Sequence, residues 1–221
     1  AKFARGIEPG AQIERIQQGL GQPELKVVLL CHSAGGLVAR YYAKYGTADV
    51  LDQDPLPPPT YAGARHIERI IMLGTPNAGS LEMFELFNEG LRIRGIGSLS
   101  PEALFTMPAA YQLLPHDGKA VFVGPQGEAV EADLFNAEDW VRHGWSVFDP
   151  KRQRRARKAG QEAQYQLQRR YLAQALKRAE RFHAALRHGD PREEAQRIEY
   201  VVMGADCQPT LRRVMMREHP P

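Results

Sequence analysis

Apolar residues fall along this chain in two kinds of pattern. Val27-Val28-Leu29-Leu30 and Ile70-Ile71-Met72-Leu73 are unbroken runs, and Glu199 to Met203 holds a third, shorter one. Runs without alternation suit parallel strands covered on both faces. Elsewhere the spacing is helical. Ile7, Ile13, Ile16 and Leu20 predict a helix stopped by Gly21 and Pro23, and Leu37, Val38, Tyr41, Tyr42 and Tyr45 predict one ending at Gly46. Strand, helix, proline-rich loop (49–64) and strand make a right-handed parallel crossover, so the fold class is α/β with a mostly parallel sheet.

Between Ser80 and Arg197 the pattern leaves the sheet. Met83, Phe84, Phe87 and Leu91 share one side of a predicted helix, which either packs on a core or lines an apolar pocket. Val121 to Val123 and Ala129-Val130 flank a Gly-Pro turn and predict a hairpin. Trp140, Trp145 and Phe148 read as residues that pin a loop to the core. From Lys151 to His188 twelve Lys and Arg face two Glu, with Tyr165, Leu172, Leu176, Ala179, Phe182 and Leu186 at helical spacing. This is one long amphipathic helix, or two with a break at Gly160. The expected division is therefore a core at 1–80, a largely helical cap at 81–197 and a return to the sheet at 198–221.

Composition narrows the partners. A net charge of +3 is nearly balanced, so nucleic acid is not expected as a partner. The basic stretch 151–188 is the exception, suited to a cap helix or to peripheral contact with an anionic surface. Cys31 and Cys207 build no disulfide framework, and no signal peptide or membrane-length apolar run is present; together these lean weakly to the cytoplasm. No cluster has metal-ligand spacing and no Gly-rich loop has phosphate-binding spacing, so no cofactor is implied.

The chemistry concentrates in Lys26 to Tyr42. A buried strand runs into Cys31-His32-Ser33-Ala34-Gly35-Gly36, and a helix follows at once. A turn this abrupt strains the backbone at Ser33 and asks for small residues two before and two after it, which are Cys31 and Gly35. It would expose Ser33 Oγ at the carboxyl end of the sheet and aim the Ala34 amide at a developing oxyanion. The plainer alternative is a glycine-rich crossover carrying an incidental serine.

Cys31 to Arg40 resembles the nucleophile elbow of α/β-hydrolase lipases, in the branch of lecithin:cholesterol acyltransferase-like proteins. Ile71 to Ser80, Met107 to Pro115 and Val201 to Thr210 resemble further segments of that branch. The resemblance implies an acyl-ester hydrolase or acyltransferase acting on a lipid-like substrate through an acyl-enzyme on Ser33. Triads of this superfamily run serine, acid, histidine, which makes Asp206 a weak acid candidate and leaves His219 after it. His32, His66, His116, His143, His183 and His188 precede the last strand, against that order, and read as surface or packing residues. The chain thus reads as the middle of a longer hydrolase, starting after one oxyanion loop and ending before the base, and inactive by itself. The competing expectation is a non-catalytic α/β module that binds an anionic surface or nucleic acid through 151–188.

Overall fold

The structure, a computed structural model, describes residues 9–93, 95, 97–116 and 122–216. They group into two compact units: Ala1–Asn77 with Arg181–Gln208, and Ala78–Glu180 with Pro209–Pro221.

In the first unit, α1 (Pro9–Leu20), β1 (Val27–His32), α2 (Gly35–Tyr45), β2 (Ile67–Leu73), α9 (Pro191–Arg197) and β6 (Glu199–Met203) surround one sheet. Its order is β1-β2-β6 and both pairings are parallel. Register places Leu29, Ile70 and Tyr200 in one row, and Leu30, Ile71 and Val201 in the next. Ile67, Ile70 and Met72 are buried with Ala39, Tyr42 and Ala43 of α2. The opposite face corrects the sequence expectation. Val28 is 48% exposed and Leu30 70%, so the sheet is covered on one face only among the described residues.

Helix α1 also departs from its apolar pattern. Ile13 and Gln17 face the protein, whereas Ile16 and Leu20 are exposed. Gln17 is inward because its Nε2 donates to Leu25 O at 2.8 Å, holding the turn into β1. Ile7 lies outside the described residues. The proline-rich loop is anchored rather than merely surface-lying, since Val50 and Leu51 are buried. Behind α2, buried Lys44 donates to His188 O at 2.7 Å and pairs with Glu194 Oε2 at 2.9 Å. Tyr200 Oη donates to the other Glu194 oxygen at 2.7 Å. A buried cation is tolerable only when paired and hydrogen-bonded in this way. The far end of α8 (Glu162–Arg187) adds Phe182, stacked on Tyr41 at 5.5 Å.

The second unit is helical with small β elements: α3 (Leu81–Glu89), β3 (Leu91–Ile93), β4 (Gly97–Leu99), α4 (Pro101–Phe105), α5 (Pro108–Tyr111), β5 (Phe122–Val123), α6 (Ala137–Arg142), α7 (Pro150–Lys158), most of α8, and β7 (Val214–Met215). Its core is aromatic, with Phe84, Phe87, Tyr111, Phe122, Trp140, Trp145 and Phe148 buried beside Leu172 and Leu176. Trp140 and Trp145 are therefore packing residues, as their clustering suggested. Ser80 caps α3. That helix ends at Glu89, so Leu91 belongs to β3 and not to the helix. Gly90 makes the turn at φ 82°, and a Cβ there would stand 2.6 Å from Leu99 O. The turn at Gly124–Gly127 is bridged from Val123 to Ala129, while Val121 lies outside the described residues. Gly160, at φ 71°, separates α7 from α8, so the basic stretch is two helices.

Candidate active site

Ser33 stands where β1 hands over to α2. Its φ is 52°, a left-handed value that an L-residue adopts only at a cost. Both ends of the turn are tied. Ser33 N–H donates to Leu73 O at 3.0 Å, and Gly74 N–H donates to Met203 O at 2.9 Å, so hydrogen bonds continue past all three strands. Gly36 N–H returns to Ser33 O at 3.2 Å. Ser33 is half-buried, and its hydroxyl has no hydrogen-bond partner among the described residues. Ala34 is already helical at φ −53°, ψ −22°, and its N–H makes no hydrogen bond among the described residues. A free amide at the amino end of an eleven-residue helix carries partial positive charge and suits an anion.

The close approach is made by a different glycine from the one the motif stresses. A Cβ on Gly35 would lie 3.8 Å from the Cys31 Cβ, an ordinary contact. A Cβ on Gly36 would lie 2.2 Å from Thr75 Oγ1. Gly36 therefore lets α2 pass the loop that leaves β2. That loop is held by Arg40, whose Nη1 donates to Asn77 Oδ1 at 2.9 Å. Sequence reasoning missed both constraints. Gly36, Arg40, Thr75 and Asn77 all lie inside quoted motifs, but their pairing across the crossover is a property of the fold.

Burial pushes the Cys31 thiol above its ordinary range, so it stays neutral and serves as a small spacer rather than a rival nucleophile. Asp206 follows β6 and is exposed, with no hydrogen bond or ion pair among the described residues. It leaves the same carboxyl end of the sheet as Ser33, two strands away, a lateral span of about 10 Å. His32 lies in the row of Leu73 and Met203 on the bare face. His66 Nε2 accepts from Arg65 Nε at 2.8 Å, His188 gives its carbonyl to Lys44, and His183 is buried near Phe182. In the second unit His143 stacks on Trp145 at 5.2 Å beside a cavity of about 570 Å³. His219 lies outside the described residues. Among the described residues no group of three or more His, Cys, Asp and Glu could hold a metal ion, and no helix is long and apolar enough to cross a membrane.

Comparison with known proteins bears on the family and the fold. The lecithin:cholesterol acyltransferase family matches over residues 11–154, which include the turn at Ser33, β1, β2 and the first part of α7. No curated protein matches the chain. Among solved structures, the crystal structure of the Tle4–Tli4 complex shares the fold, with a TM-score of 0.52 at 17% identity over 79% of this chain. The chain spans 37% of that structure's chain.

Proposed function

The chain belongs to the lecithin:cholesterol acyltransferase family, and on that premise we propose that Ser33 is the nucleophile of a lipase- or acyltransferase-type reaction. The observation that carries the proposal is the turn itself: a non-glycine residue at φ 52°, between a parallel strand and a helix whose first amide is free. Ser33 Oγ attacks the carbonyl carbon of an acyl ester, and its proton passes to a general base. The carbonyl oxygen becomes an oxyanion facing the Ala34 N–H and the amino end of α2. Collapse breaks the ester C–O bond, and the base returns the proton to the departing alcohol. Water or an acceptor alcohol then attacks the Ser33 acyl-enzyme by the reverse sequence. Asp206 is the acidic residue that topology offers at this end of the sheet, and of the stretch 81–197 the part that packs in the second unit, 81–180, is proposed as the cap that shapes access for a lipid-like acyl chain. The test is covalent labelling of the full-length natural protein with a fluorophosphonate. One adduct is expected on Ser33; an adduct on another serine overturns the assignment.

A further inference from the structure

Both basic helices divide their cations between ion pairs and open surface. Along α8, Arg169 pairs with Glu138 at 2.5 Å, and Arg181 donates to Leu51 O at 2.7 Å and faces Asp54 at 3.7 Å, while Arg170 and Lys177 are exposed. Helix α7 has an inner face that is paired in the same way. Arg152 pairs with Glu102 at 2.7 Å and reaches Asn88 O at 3.1 Å, and Gln153 Nε2 donates to Val147 O at 2.6 Å. Its outer face is another matter. Lys151, Arg154, Arg155 and Lys158 recur at steps of three and four, within an arc of about 100°. All four are exposed, and no carboxylate pairs with any of them among the described residues.

Helix stability accounts for only part of this stripe. Arg155 and Lys158 lie in the last turn, where the dipole favours cations, but the four are like charges at i,i+3 and i,i+4, which repel, and Lys151 stands in the first turn, where the dipole disfavours it. The stripe is not isolated. Arg155 and Ala156 border a groove of about 790 Å³ whose other walls include Phe105, Leu167 and Tyr171, and Leu167 is 58% exposed. Four unpaired cations beside an open apolar groove match an anionic bilayer, which offers phosphate charge at its surface and acyl chains just beneath. Single-stranded nucleic acid would ask for exposed stacking rings. The aromatic hydroxyl bordering this groove, Tyr171 Oη, is instead tied to Thr106 O at 2.8 Å.

We propose that the outer face of α7 and the adjoining groove dock this protein on an anionic phospholipid surface. The reading concerns binding and stands whether or not Ser33 is reactive. The experiment is co-sedimentation of the 221-residue chain with phosphatidylcholine vesicles, with mixed phosphatidylcholine–phosphatidylglycerol vesicles, and with a single-stranded oligonucleotide as competitor, at low and high salt. Binding is expected only with phosphatidylglycerol and weakens with salt. Each cation contributes about fivefold, the equivalent of about 1 kcal/mol. The quadruple variant Lys151→Gln, Arg154→Gln, Arg155→Gln, Lys158→Gln should therefore bind more than about a hundredfold more weakly. A control that removes Arg65, Arg170, Lys177 and Arg192 by change to Gln has the same net charge and should keep most of the affinity. A charge-preserving exchange of Lys and Arg at the four positions should bind like the parent, which also guards against a misfolded neutral variant. Equal binding to phosphatidylcholine alone, equal loss in the control, loss in the charge-preserving exchange, or displacement by the oligonucleotide would each overturn the proposal.

Discussion

Two serines in this protein hold left-handed backbone, Ser33 at φ 52° and Ser146 at φ 56°. Their surroundings share little else. Ser146 opens a short 3-10 turn (Ser146–Phe148) in the aromatic core of the second unit and is 1% exposed. Its N–H donates to Asn88 Oδ1 at 2.9 Å, and its hydroxyl is buried without a hydrogen-bond partner among the described residues. Ser33 is half-buried, follows a strand, and precedes a helix with a free amide. Strain is common to both turns. What separates them is the chemistry that the strain presents: at Ser146 it points a hydroxyl into packing, and at Ser33 it puts one beside an anion-stabilising helix end.

Four perturbations sharpen that contrast, from the largest effect to the smallest. Gly36→Ala forces a methyl against Thr75 and should destabilise the protein by about 3 kcal/mol in urea unfolding, whereas Gly35→Ala should stay within about 1 kcal/mol. Similar costs at both positions would mean that the helix does not cross the β2 loop as described. Arg40→Ala removes a charged donor from Asn77 and should cost about 2 kcal/mol by the same assay. Replacing either strained serine by glycine should stabilise by about 1 kcal/mol, since glycine tolerates this backbone. Only the Ser33 change should also abolish fluorophosphonate labelling; a loss at Ser146 would erase the distinction between the turns. Leu30→Ala on the bare sheet face should cost less than about 1 kcal/mol, against about 3 kcal/mol for buried Ile70→Ala.

Alkaline pH probes the helix that backs the Ser33 turn. Burial, with Tyr41, Tyr61 and Glu194 nearby, pushes the Tyr45 phenol up to about 12, and burial raises Tyr42 as well. The folded state thus holds these phenols protonated more tightly than the unfolded chain does. The stability they contribute is present below the ordinary value of 10.0 and is lost as pH rises through about 12. Phenolate absorbance and helical dichroism should change together over that window. Titration of Tyr45 at its ordinary value, with the helix intact, would contradict the burial of α2.

Much of this was legible in the chain. Strands β1, β2 and β6, helix α2 and the turn at Ser33 all follow from apolar runs and punctuating glycines, and the break at Gly160 is one of the two readings that the basic stretch allowed. The bare face of the sheet was not legible. A run such as Val27 to Leu30 records what a strand can bury, and its coverage depends on elements elsewhere. Ile16 and Leu20 misled for a related reason, because Gln17 reaches a carbonyl across a turn and takes the inward side. Gly36 against Thr75, and Arg40 with Asn77, needed residues nearly forty positions apart to meet. Charge was misleading in bulk, since 151–188 is basic throughout in sequence while ion pairing takes up Arg152, Arg169 and Arg181 and leaves the outer stripe of α7 exposed.

The central claim is that the strained serine at the end of β1, and not the one in the aromatic core, forms the acyl-enzyme. Intact-mass labelling of the full-length natural protein with a fluorophosphonate, alongside its Ser33→Ala and Ser146→Ala variants, tests this most directly. The account predicts a single adduct in the parent protein and in Ser146→Ala, and none in Ser33→Ala. An adduct that survives Ser33→Ala, or a folded parent protein that never labels, would contradict it and leave the turn at Ser33 a structural crossover.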